Sequence, residues 1–174
     1  MEKLEKGGVI WFSGLAGSGK SFLAEALCEK LRTKLHNVIY LDGDELRELL
    51  GYFGYDKASR LEVSFKRSKF AHFLSEQNML VIVSAISMWD EIYEFNRKHL
   101  KNYFEIYIKC DFEELKRRDK KGLYSGALSG EIQNVVGVDI PFEEPKPHLI
   151  IDNSELNKAD EKIKLILNTL DFKD

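Results

Sequence analysis

Short apolar runs alternate along the chain with stretches of helical periodicity. The runs are Val9-Ile10-Trp11-Phe12, Val38-Ile39-Tyr40-Leu41, Leu80-Val81-Ile82-Val83, Phe104-Glu105-Ile106-Tyr107-Ile108 and Leu149-Ile150-Ile151. Between the first two, Leu23, Leu27, Leu31 and Leu35 recur every four residues on one helical face. The pattern predicts further helices over 44–50, 57–78, 89–100 and 111–119. A last helix is expected from Ser154 as N-cap, with Ile163, Ile166, Leu167 and Leu170 turned inward. Strand and helix in alternation imply an α/β fold: five strands, mostly parallel, with helices on both faces. The third and fifth runs read as strands buried on both sides.

One region departs from this rhythm. Residues 120–147 hold Gly122, Gly126, Gly130 and Gly137, and all three prolines, Pro141, Pro145 and Pro147. They show little periodicity, and a stretch that long without regular structure reads as a functional loop or lid, with a variable surface insertion as the alternative.

Composition narrows the class. The chain has 174 residues, 44% hydrophobic and 32% charged, which suits a single globular domain over 1–174. Lys plus Arg is 26 against 29 for Asp plus Glu, a net charge of −3 that argues against a dedicated nucleic-acid binder. Cys28 and Cys110 are too few for a disulfide scaffold. The start, Met1-Glu2-Lys3-Leu4-Glu5-Lys6, alternates charge and is no signal peptide. No run approaches the roughly 20 apolar residues of a membrane span. The expected setting is the cytoplasm, with no membrane partner. His36, His72, His99 and His148 are scattered, without the spacing of a structural metal site.

The chemistry is carried by Gly14-Leu15-Ala16-Gly17-Ser18-Gly19-Lys20-Ser21, which matches G-x-x-x-x-G-K-[ST] at every fixed position. Glycines let the backbone curl so that successive N–H groups face phosphate oxygens, and the helix that follows adds its positive end. Gly14, Ala16, Gly17, Ser18 and Gly19 are therefore read as the cradle of ATP. Lys20 would reach the β- and γ-phosphates, and Ser21 would ligate Mg2+. The third run ends in Ser84-Ala85 without the Asp that motor ATPases and GTPases carry there, and no Asn-Lys-x-Asp guanine reader is present. The acidic pair lies past the second run instead, in Leu41-Asp42-Gly43-Asp44. A carboxylate at a strand tip can orient an acceptor hydroxyl or hold waters on magnesium, which suits a small-molecule kinase.

These segments together resemble the adenylylsulfate (APS) kinase family over nearly the whole chain. The resembling blocks are the phosphate loop; Leu41-Asp42-Gly43-Asp44 with Arg47; Gly54-Tyr55 through Arg60; Ala85-Ile86-Ser87; and Arg118-Asp119-Lys120-Lys121-Gly122-Leu123-Tyr124, followed by Gly130-Glu131-Ile132 and Gly137-Val138-Asp139. The resemblance implies a P-loop kinase fold with a lid over about 120–147. It also implies transfer of the γ-phosphoryl group of ATP to a ribose 3′-hydroxyl of a small nucleotide, and family members are often homodimers. Carried over by motif, Asp44, Lys20 and Lys121 would be catalytic. Arg118 would pack on ATP, and Ser21 and Asp42 would hold the metal. Asp42, Arg47, Tyr55, Arg60, Phe65, Lys121, Leu123 and Val135 would line the acceptor site.

The departures from the family gather on the acceptor side. Where it reads x-Glu-Asn-Ile-Arg-Arg, this chain has Leu61, Glu62, Val63, Ser64, Phe65 and Lys66. Its Asn-Phe-Thr-Gly is here Asn134-Val135-Val136-Gly137, Ser125 stands for a Lys, and Met88 for a Pro. The missing Phe is one face of an aromatic grip on adenine, a contact worth about 1–3 kcal/mol. Such a pocket points to a smaller base, as in the family's cytidine diphosphoramidate kinase branch, which serves capsular polysaccharide. The alternatives left open are an adenylylsulfate kinase of sulfate assimilation and a nucleotide-binding regulatory domain without catalysis.

Overall fold

The computed structural model describes residues 6–171; the charged start, 1–5, lies outside them. Five strands form one sheet: β1 (Gly8–Ser13), β2 (Val38–Asp42), β3 (Leu80–Ala85), β4 (Phe104–Lys109) and β5 (Leu149–Asp152). Their order is β2-β3-β1-β4-β5 and every pairing is parallel. The helices are α1 (Lys20–Arg32), α2 (Gly43–Leu49), α3 (Lys57–Glu76), α4 (Asp90–His99), α5 (Phe112–Arg118), α6 (Leu123–Ser129) and α7 (Ala159–Thr169). None is long and apolar enough to cross a membrane.

Strand alternation divides the core. Ile10 and Phe12 of β1 face α1 and α7, meeting Leu27, Leu31, Ile163 and Ile166. Val9 and Trp11 face the opposite way, toward Ala71 of α3 and Ile92 of α4. A third apolar cluster, built on Trp89, Tyr93, Leu115 and Tyr124, lies under the 120–147 segment. With β1 in the centre and its neighbours wound to either side, the loop after β1 opens at the point where strand order reverses. That is where open α/β sheets bind ligands.

Three expectations are corrected. Run five is not doubly buried: β5 is an edge strand paired only with β4, and Ile150 is 55% exposed. Ser154 does not cap the last helix, which starts at Ala159. Its backbone N–H donates to Asp152 and its hydroxyl accepts from the N–H of Asp111, so it ties two loops together. The 120–147 segment is not devoid of regular structure. A 3-10 turn over Lys120–Gly122 leads into α6, because the Asp119 carboxylate accepts from the N–H groups of Tyr124 and Ser125 and from the Ser125 hydroxyl. Gly130, at φ 82°, ends the helix.

Leu27 is fully buried between α1 and the sheet. Leu27→Ala should lower unfolding stability by about 2–5 kcal/mol, read as a lower urea midpoint at unchanged slope.

Candidate active site

The loop from Gly14 to Ser21 leaves β1 and enters α1, with Gly17 at φ 78° and Gly19 at φ 92°. These left-handed positions turn the backbone so that its carbonyls face outward, and each of three successive carbonyls is met by a side chain from elsewhere. The Tyr124 hydroxyl donates to Ala16 O at 2.7 Å, Arg118 to Gly17 O at 3.1 Å, and the Asn153 amide to Ser18 O at 2.6 Å. With the carbonyls held outside, the N–H groups at the start of α1 are left to face a ligand. The Ser18 hydroxyl is buried without a hydrogen-bond partner, as a group awaiting a phosphate oxygen would be.

Beside the loop opens a cleft whose walls include Lys20, Ser21, Asp42, Asp44, Arg47 and Arg60. Asp42 caps α2 through the N–H groups of Asp44 and Glu45, at 2.9 and 3.3 Å. Its other oxygen is within 3.1 Å of the hydroxyls of Ser21 and Tyr40 and 3.0 Å from that of Ser84. Burial opposes ionisation of Asp42, yet these backbone and hydroxyl donors outweigh it and hold the carboxyl below the ordinary carboxylate range. Gly43 is required where it stands: a Cβ there would lie 2.8 Å from Ser84 O.

Across the cleft, two guanidinium groups lie against the Tyr55 ring, Arg47 at 4.8 Å and Arg60 at 5.3 Å from its centroid. Arg60 is fixed by hydrogen bonds to the carbonyls of Tyr55 and Asn134, so it joins α3 to the return leg of the lid. Burial, then the neighbouring Arg47, pulls its pKa down. Tyr52 and Phe53, the aromatic residues just before Tyr55 in the chain, do not enter the core, and Phe53 is 78% exposed.

The remaining sequence-expected residues fall elsewhere. Phe65 packs edge-on against Phe95 of α4, centroids 5.5 Å apart, and does not line the cleft. Val135 is 3% exposed within the apolar cluster under the lid, and Leu123 packs against the same cluster. Lys121 is exposed at the kink of the 3-10 turn, at φ 65°. Arg118 is committed to loop carbonyls and to Glu114. Sequence reasoning gave no role in the site to Tyr40, Arg67, Ser84, Tyr124 and Asn153. Ser84 carried a signal, as a hydroxyl at a strand tip that lacks an Asp, and Tyr124 carried one as the end of the Lys121-Gly122-Leu123-Tyr124 motif.

The donor set suits magnesium rather than a protein-held metal. Ser21, Asp42 and Ser84 present hard oxygens, and among the described residues no three His, Cys, Asp or Glu side chains come together as a cage. A hard cation that keeps waters and phosphate oxygens needs no more than this.

Because the folded pKa of Asp42 is depressed, its contribution to stability is full above the unfolded value of about 3.9. It is lost as pH falls through the lower folded value. Urea midpoints measured from pH 6 to pH 3 should therefore fall less steeply for Asp42→Asn than for the parent protein.

Comparison with known proteins agrees with this geometry. The family model for adenylylsulphate kinase matches residues 6–152. A cytidine diphosphoramidate kinase from Campylobacter jejuni subsp. jejuni serotype O:2 is 57% identical over 162 residues, covering 93% of this chain and 95% of that protein. An adenylyl-sulfate kinase from Picosynechococcus is 35% identical over 166 residues, covering 95% and 94%. The solved Mycobacterium tuberculosis APS kinase, in complex with AMPPNP and APS, superposes with a TM-score of 0.86 at 35% identity, over 95% of this chain and 98% of that one. The chain belongs to the adenylylsulphate kinase family of phosphotransferases.

Proposed function

We propose that this protein transfers the γ-phosphoryl group of ATP to the ribose 3′-hydroxyl of cytidine diphosphoramidate, within capsular phosphoramidate biosynthesis. The carrying observation is the 57% identity to a kinase of that name, against 35% for the Picosynechococcus adenylyl-sulfate kinase at similar coverage. The reading takes residues 1–174 as one kinase domain, cytoplasmic and able to form a homodimer.

Phosphoryl transfer depends mainly on positioning and on neutralising charge. The loop N–H groups and Lys20 receive the phosphates of ATP. Ser21 and Asp42 would hold Mg2+, Ser21 through its hydroxyl and Asp42 through waters on the ion. When bound, the ion would supply charge neutralisation to the phosphates of ATP. Asp44, on the first turn of α2, accepts or orients the proton of the acceptor hydroxyl. Arg47 and Arg60, both beside the Tyr55 ring, form a cationic slot for the acceptor's diphosphate. Lys121 comes to the transferring group as the lid closes, and closure excludes water as a competing acceptor. Arg118 serves the ATP side by holding the loop.

The acceptor side supports a base other than adenine. Val63, Phe65 and Val135 bring no polar or aromatic group to the cleft: Val63 and Val135 are buried, and Phe65 is turned to Phe95. A pyrimidine loses less than a purine when one stacking face is missing.

ATP consumption should be measured with cytidine diphosphoramidate and with adenylyl sulfate, and any product read by phosphorus NMR. A new ribose 3′-phosphate on the cytidine compound is expected, with kcat/KM at least about tenfold above that for adenylyl sulfate. The reverse preference would sink the acceptor assignment. Asp44→Asn should lower kcat by about 10²–10⁴-fold, the range of a lost general base, while ATP binding followed by calorimetry stays unchanged.

A further inference from the structure

One face of α3 forms a wall of the cleft, and its deepest cleft-facing residue is Arg67, 3% exposed. The guanidinium donates to Ser87 Oγ at 3.1 Å and to Gly43 O at 3.0 Å. Ser87 Oγ also pairs with Ser64 Oγ at 2.8 Å, which binds α3 a second time to the segment after β3. The Nε of Arg67 has no hydrogen-bond partner, and no ion pair to a carboxylate involves this residue among the described residues. A buried guanidinium without a carboxylate partner is costly, and replacing buried charges by apolar side chains is often neutral or stabilising. Stability alone therefore does not account for an arginine here.

What Arg67 grips accounts for it. The Gly43 oxygen belongs to the peptide unit that joins Gly43 to Asp44. The N–H of the same unit donates to Asp42 at 2.9 Å. Both poles of one peptide plane are thus held by side chains, one from the end of β2 and one from α3. On its other side Gly43 lies against β3, where a Cβ would come within 2.8 Å of Ser84 O. A plane held at both poles and against a strand cannot rotate, and its orientation sets the direction in which Asp44 leaves the backbone. We infer that Arg67 is a positioning residue, which locks the Gly43–Asp44 peptide and so aims the Asp44 carboxylate at the acceptor hydroxyl. This rests on the role given to Asp44 above and adds a residue outside both the phosphate loop and the Asp-Gly-Asp turn.

The test is a double-mutant cycle on turnover, with ATP and whichever of cytidine diphosphoramidate and adenylyl sulfate the panel selects. The variants are Arg67→Met, Asp44→Asn and the pair, with urea unfolding measured alongside. Arg67→Met should lower kcat at least about tenfold, as misplacement of a reacting group does. The KM for each substrate should stay within about threefold. In the Asp44→Asn background the same change should cost less than about twofold, because the group it aims is already gone. Arg67→Lys, which keeps the charge but loses the fork, should recover part of kcat.

Equal fold-losses in both backgrounds would overturn the proposal, since general loosening of the fold acts on both alike. A raised acceptor KM with kcat intact would also overturn it, by making Arg67 a binding group. Full turnover in Asp44→Asn alone would remove the role of Asp44 and with it the premise, an outcome separate from the other two. Should Arg67→Met fail to fold, Arg67→Lys and Ser87→Ala enter the same cycle in its place.

Discussion

The nucleotide end of the site depends on three hydrogen bonds made from outside to the carbonyls of Ala16, Gly17 and Ser18. A backbone that turns its N–H groups toward a ligand must turn its carbonyls somewhere, and buried carbonyls need donors. The donors come from three separate parts of the chain: the lid helix, the end of α5 and the loop after β5. The loop is therefore a shared product of the second half of the sequence, although its motif is complete within eight residues. Loss of any one donor would leave a carbonyl unsatisfied and relax the curl on which anion binding rests.

The end of the cleft proposed for the acceptor is organised differently. Charged side chains there are arranged around backbone atoms as much as around each other: Arg60 on the carbonyls of Tyr55 and Asn134, Arg67 on that of Gly43, Asp42 on the N–H groups of α2. Side chains tied to the backbone are pre-organised, so little ordering remains to be done when a substrate enters. The two ends meet at Asp42, which caps a helix while it receives the Ser21 hydroxyl of the phosphate loop.

Much of this was legible in the residues. The strands and their parallel arrangement followed from apolar runs separated by helical spacing, and the loop from its glycines, lysine and serine. What was not legible has a common physical cause: it depends on partners remote in sequence. Tyr124 was legible as part of a motif but not as a partner of the loop, and Asn153 not at all, until folding brings them 108 and 135 positions back to it. Arg67 sits mid-helix, where an arginine ordinarily reads as solvated surface. An apolar run such as Leu149–Ile151 reports burial of side chains, not how many strands flank it, so β5 read as central. Phe65 aligned with a cleft position, but its neighbour Phe95 decided which way it faces. The lid helix escaped notice because its cap reaches forward five residues, from Asp119 to Tyr124, rather than the usual two or three.

That local cap has a consequence for how such an enzyme can diversify. α6 draws its start signal from Asp119 and its stop from Gly130, both within the segment itself. The return leg is likewise folded on its own aspartate, with Asp139 accepting from the N–H groups of Asn134 and Val135. A segment that specifies its own shape behaves as a module. Residues that face an incoming base can be exchanged within it without disturbing the phosphate-binding apparatus, so a change of acceptor is open to a lineage while its use of the phosphate donor stays intact.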